Sequence, residues 1–94
     1  MHIMWDWDED KRRANRLKHG IDFAELADFD WPNAVTREDT RGDYGERRFI
    51  STARLHGRLH VCVWTLRDGK PRIISLRKAN TRERARHAAE EKLH

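Results

Sequence analysis

RRFISTARLHGRLHVCVWTLRDGKPRIISLRK, residues 47–78, decides the fold. Two glycine-bearing pairs, His56-Gly57 and Asp68-Gly69, divide it into three apolar-rich runs. Such pairs supply the positive φ angles that a tight hairpin turn needs. The spacing predicts strands over 47–55, 58–66 and 71–78, joined as an antiparallel meander. In the middle run Leu59, Val61 and Val63 share one face, and His60, Cys62 and Trp64 share the other. Apolar groups on both faces predict a central strand covered on both sides. Simple alternation in the third run puts Arg72, Ile74 and Leu76 on one side. Ile73, Ser75 and Arg77 then fall on the other.

Upstream, residues 2–7 alternate Ile3, Trp5 and Trp7 against His2, Met4 and Asp6, which predicts a short strand. Asp8 offers an N-cap. Glu9 and Asp10 follow in the first turn, then Lys11, Arg12, Arg13, Arg16 and Lys18, and Gly20 stops the run. That polarity complements a helix dipole over residues 9–19. Only Ala14 and Leu17 are apolar in its body, so it lies on the surface with a broad basic face. Asp22 caps a short helix over 23–28, ended by Trp31-Pro32-Asn33. Residues 37–46 read as a polar loop with two glycines. Asn80-Thr81-Arg82-Glu83 fits a capping box that opens a helix over 81–93. The sum is a single α+β domain: a short N-terminal strand, two helices, a three- to four-stranded antiparallel sheet and a C-terminal helix.

Composition narrows the function. Charged residues make up 38% and mean hydropathy is −1.01, yet four Trp and three Phe support a small core under a polar surface. Residues 1–50 carry 9 Lys/Arg against 12 Asp/Glu, and residues 51–94 carry 11 against 4. A basic half suits a polyanion such as nucleic acid, and equally a merely soluble surface. One cysteine, Cys62, excludes an internal disulfide and suits a reducing compartment. Its place in an apolar run makes it a packed thiol. Trp5–Lys11 is acidic and aromatic, unlike a signal peptide, and no apolar stretch approaches a membrane span. A cytoplasmic protein with no membrane partner is expected.

Four stretches, in order, carry a resemblance over most of the chain. The first is Trp5-Asp6 with Lys11, Asn15 and Lys18-His19-Gly20-Ile21-Asp22-Phe23. The second runs from Asp43-Tyr44-Gly45-Glu46 to Arg47-Arg48-Phe49-Ile50. The third is the hairpin from Gly57-Arg58-Leu59 to Trp64-Thr65. The fourth runs from Arg72-Ile73-Ile74-Ser75 to Leu76-Arg77-Lys78-Ala79, with Thr81, Glu83 and Arg84 after it. Together they resemble the BrnT family of toxins, whose fold is distantly similar to RelE. Asp28-Phe29-Asp30-Trp31-Pro32 and the trio His60, Cys62, Trp64 depart from the family's usual residues without touching those motifs. The resemblance implies a metal-independent ribonuclease without a cofactor that inhibits translation, neutralised by a BrnA-like ribbon-helix-helix antitoxin. It also implies that operator DNA is bound only through that antitoxin.

Metal-free RNA cleavage needs a base for the ribose 2′-OH, cations for the phosphate and a proton for the leaving 5′-oxygen. His19 is the base candidate, or else caps its helix. Arg48, Arg72 and Arg77 form a phosphate cradle if their side chains converge on one sheet face, or else pair with surface carboxylates such as Glu46 and Asp43. Glu83 is an acid or base candidate with a competing capping role. Lys11 and Lys18, seven apart on one helix face, are RNA-backbone candidates, and Tyr44 a base-stacking one. Lys78, Arg82, Arg84 and Arg86 extend a basic strip that steers substrate. The six His show no metal-ligand spacing. The competing function is a non-catalytic basic module that binds nucleic acid or a regulator.

Overall fold

The computed structural model describes residues 5–92. The order is β1 (Asp6–Trp7), α1 (Glu9–His19), two 3-10 helices (Phe23–Asp28 and Trp31–Asn33), β2 (Val35–Asp39), β3 (Arg48–Leu55), β4 (Arg58–Arg67), β5 (Lys70–Lys78) and α2 (Thr81–Glu91). The strands form one sheet in the order β1-β5-β4-β3-β2. The α+β class, the meander and the bounds of α1 agree with the sequence reading. The sheet, however, has five strands and is mixed, not three- to four-stranded and antiparallel. β1 runs parallel to β5, with Asp6 opposite Arg72 and Trp7 opposite Ile73. Of the strand predicted over 2–7, residues 2–4 lie outside the described residues. Val35–Asp39, partly read as loop, pairs with β3 as an edge strand. Its charged, exposed side chains hide a period-two pattern that only pairing reveals. The second helix is a single 3-10 segment, capped by Asp22 and Glu25 in a capping box.

Three backbone devices fix the sheet. His56-Gly57 and Asp68-Gly69 all take positive φ, as the tight turns predict. Between Val63 and Trp64 the register of β4 on β5 shifts: Val63 faces Ser75 but Trp64 faces Ile73, so Ile74 is an extra residue. This overturns the simple alternation. Directly opposed residues share a face, so Val61, Val63 and Thr65 place Arg77, Ser75 and Arg72 together. Ile73 turns to the other face, beside Trp64 in the core. Without the extra residue, Arg72 and Arg77, five positions apart, would point to opposite sides. The third device is Asn15, 7% exposed on the otherwise polar α1. Its amide donates to the Leu76 carbonyl (2.8 Å) and accepts from the Leu76 N–H (3.0 Å). It thereby stands in for a strand peptide on the edge of β5 beyond the short β1.

The sheet has two unlike faces. One is covered by the 3-10 helices: Phe23, Leu26 and Phe29 pack on Ala53, Leu55, Cys62, Ile73 and Leu76, with Trp5, Trp7, Trp31 and Trp64 around them. Cys62 is fully buried and burial pushes its thiol pKa up, so it is a packed thiol as expected. The other face carries a smaller cluster of Leu59, Val61 and Ala79 with Ile50 against it. α2 crosses only one end of this face, and His87 is its one buried residue. At the other end Asp39 and Thr65 are buried beneath residues 41–47, and between the two ends Ile50, Val63, Ser75 and Arg77 stay part-exposed.

Candidate functional site

Register alone assembles the open face. Asp39, Arg48, Thr65, Arg72 and Asp6 form one row across all five strands. Arg37, Ile50, Val63 and Ser75 form the next, and Val35, Thr52, Val61 and Arg77 the one after. Arg48, Arg72 and Arg77 therefore share a face. Each guanidinium is paired with a carboxylate from a different element. Arg72 bonds Asp6 at 2.6 Å, and Arg77 bonds both oxygens of Glu83 at 2.7 and 2.8 Å. Arg48 lies 3.7 Å from Glu46 and stacks 4.1 Å above the Tyr44 ring. The rows of Arg48 and Arg77 are four residues apart along β4, or roughly 13 Å.

The Arg77 end holds three candidates. Glu83 opens α2 by accepting from the Asn80 N–H (2.9 Å), while the Asn80 side chain accepts from the Glu83 N–H (2.8 Å). Arg77, above all, and the Asn80 N–H hold the Glu83 carboxyl below its ordinary pKa, so it stays ionised and is no proton donor near neutrality. His19 is half-buried at the end of α1. Gly20, at φ 71°, closes that helix by donating its own N–H to the Arg16 carbonyl. Among the described residues no side-chain hydrogen bond engages the His19 ring, so capping leaves it free. Burial, then the charges of Lys18 and Arg77, lower its pKa and favour the neutral imidazole.

The Arg48 end is held from below. Asp39 is buried, accepts from Arg41 Nε and Nη2 (both 2.9 Å) and accepts from the Tyr44 hydroxyl (3.2 Å). The Arg41 guanidinium, foremost, keeps the Asp39 carboxyl well below the usual range. Tyr44 is thus pinned under Arg48, which commits one of its ring faces. Arg48 Nε is buried with no hydrogen-bond partner. It faces the Glu46 carboxylate at 3.7 Å, beyond hydrogen-bond reach but close enough for charge to meet charge.

The remaining candidates scatter. Lys11 and Lys18 are exposed on α1. Lys78 lies opposite His60, on the covered side of the sheet and away from Arg77. Arg82 and Arg84 are exposed on the first turns of α2, and Arg84 borders the far hairpin with Gly57 and Arg58. Arg86 alone of that strip turns to the open face, where it lines a concavity with Arg37, Arg41 and Ile50. Arg37, Arg41 and Asp39 were missed from the sequence because 37–46 read as a loop. The alternation Val35, Arg37, Asp39 was the one available signal. Among the described residues no three His, Cys, Asp or Glu side chains gather as metal ligands, and no helix is long and apolar enough to cross a membrane.

Residues 7–83 match a family described as the ribonuclease toxin BrnT of type II toxin–antitoxin systems. No curated protein shows a significant match to the chain.

Proposed function

The chain belongs to the BrnT family of ribonuclease toxins of type II toxin–antitoxin systems, and from that membership we propose that it cuts RNA on the open sheet face, without a metal ion, and so inhibits translation in the cytoplasm. A type II toxin implies an antitoxin partner. A BrnA-like ribbon-helix-helix protein fills that role in this reading, and operator DNA is bound through it alone.

The observation that carries the reading is His19, its ring free of side-chain hydrogen bonds and within reach of the Arg77 charge on a face that carries three arginines. His19 takes the proton of the ribose 2′-OH. The 2′-oxygen bonds to phosphorus, the bond from phosphorus to the 5′-oxygen breaks, water protonates the departing oxygen, and the hydroxide left behind takes the proton back from His19. The products are a 2′,3′-cyclic phosphate and a 5′-hydroxyl. Arg77 meets the charge that builds on the phosphate, with Glu83 as the placeholder that the phosphate displaces. Arg48 and Arg72, about 13 Å away along the strands, hold neighbouring phosphates. Lys11 and Lys18 guide the chain toward His19.

The test pairs induced growth with cleavage of labelled RNA in EDTA, for wild type and Arg77→Ala. The reading expects growth arrest and EDTA-resistant cutting by wild type, and neither by the folded variant. The carboxylate pairing of Arg48, Arg72 and Arg77 favours a second reading, a non-catalytic binding module. That reading wins if wild type is harmless and leaves RNA whole, with and without ribosomes.

A further inference from the structure

We propose that the concavity between β2 and the second turn of α2 is a nucleotide subsite, in which Arg37 and Arg86 take the phosphate of a nucleotide flanking the cut and Ile50 lies under its base. It rests on the ribonuclease reading for its substrate.

The concavity measures about 260 Å³ and is lined by Arg37, Arg41, Arg86 and Ile50 together with Thr40 and two carboxylates, Asp39 and Glu38, which are paired with Arg41 and Arg47. That is just under the ~300 Å³ at which small-molecule pockets begin, room for one base with its sugar outside. Its cations are unequally committed. Arg41 is fixed by two 2.9 Å bonds to the buried Asp39, which gives the concavity a rigid wall. Arg86 reaches Glu90 only at 3.6 Å, and Arg37 makes no ion pair among the described residues. An unpaired arginine beside a half-committed one, over a half-buried isoleucine, matches the two halves of a nucleotide: planar cations for phosphate and an apolar floor for the base.

Position ties the concavity to the reacting end. The charge of Arg37 reaches Glu83, and that of Arg41 reaches Arg77. The row of Arg37 adjoins that of Arg77 on the same face, a step of two residues, or about 7 Å, along a strand. An RNA phosphate at Arg77 thus has its neighbouring nucleotide over Ile50. An acidic segment of a protein partner would also meet these arginines, but it would gain nothing from a recess of one-base size.

The test measures anisotropy of a fluorescent ten-nucleotide single-stranded oligodeoxynucleotide, which lacks the 2′-OH and so binds without being cut. Arg37→Ala and Arg86→Ala are each expected to weaken binding about 5–10-fold and flatten the salt dependence by about 0.7 in log–log slope. Arg58→Ala, on the far hairpin, is expected to match wild type. On cleavable RNA the two variants raise KM with kcat within about twofold, the signature of lost binding and intact chemistry. Folded Arg37→Ala and Arg86→Ala that bind like wild type overturn the subsite while leaving the ribonuclease reading intact. So does a loss confined to antitoxin binding, which would make the recess a protein surface. Wild type that binds the oligonucleotide, with the expected losses in the variants, yet never cuts RNA overturns the ribonuclease reading alone.

Discussion

His19 and Glu83 reach the same end of the sheet in opposite states, and the proposed ribonuclease reading assigns proton transfer to His19 on that difference. Glu83 has both oxygens occupied and is held ionised by Arg77 and the Asn80 N–H. His19 has a free ring whose pKa is lowered by burial, Lys18 and Arg77. A general base must be neutral, so cleavage falls as pH drops through the folded pKa of His19, which lies below the ordinary value of about 6.5. The expected profile of kcat/KM falls on the acid side with a limb centred below about 6.5. Arg77→Ala lowers the rate and moves the limb upward, since one of the lowering charges is gone. A limb centred above pH 7 in wild type sinks the role of His19. The depressed pKa also makes stability fall as pH drops through about 6.5, because the unfolded chain takes up the proton first. For Glu83 two substitutions separate its duties. Glu83→Ala removes the cap bond and the half-exposed ion pair, costing about 1–2 kcal/mol by urea denaturation. Glu83→Gln keeps an acceptor for Asn80 but frees Arg77, and is expected to lower KM for RNA about threefold, a gain of ~0.7 kcal/mol within the range of such pairs. A raised KM would mean that Glu83 positions Arg77 instead of competing with phosphate.

At the scale of elements, what was legible was written in local chemistry. The glycine turns, the Asp8 and Asn80 caps and the bounds of α1 all depend on residues within a few positions of one another. What was not legible depends on partners far along the chain. Ile74 looks like any strand residue until β4 is laid beside it, yet its insertion puts Arg72 on the face of Arg77 and Ile73 in the core. β2 is a strand only because β3 pairs with it. Asn15 reads as one more polar residue on a polar helix, but its amide holds Leu76 from 61 positions away and also donates to the Ile21 carbonyl at 3.2 Å. This last contact gives a sharp prediction. Asn15→Ala leaves the Leu76 N–H and two carbonyls buried without partners, at a cost of about 2–4 kcal/mol. Asn15→Asp fails similarly, since a carboxylate then faces two carbonyl oxygens. A loss below ~1 kcal/mol for Asn15→Ala, of the size of a single exposed hydrogen bond, would show that the edge of β5 does not depend on this bridge.

Across the whole molecule, the charge that matters is not where the sequence concentrates it. Counted along the chain, the basic excess lies in residues 51–94, with 11 Lys/Arg against 4 Asp/Glu. Folding builds the open face from both halves: Arg37, Arg41 and Arg48 come from the acidic half, and Arg72, Arg77 and Arg86 from the basic one. Several basic-half cations go elsewhere, Lys78 to the covered side and Arg84 to the far hairpin. Net charge counted along the chain therefore does not say which cations share the open face. The same geometry limits how strongly the face can hold RNA, because Arg41, Arg72 and Arg77 already carry carboxylates that a phosphate has to displace. If a strand across this face engages about four phosphates, at Arg77, Arg48, Arg72 and the Arg37–Arg86 recess, the log–log salt dependence of binding has a slope near −3, at about 0.7 per phosphate of a single strand. Affinity for the uncleavable oligonucleotide is then expected to fall about 50-fold between 50 and 200 mM KCl. A slope steeper than about −5 would require more phosphates than this face can meet, and would extend the RNA path along the whole basic side of α1, past Lys18 and Lys11 to Arg13 and Arg16. A slope near zero would remove phosphate contacts from the account altogether and leave the arginines to their carboxylates.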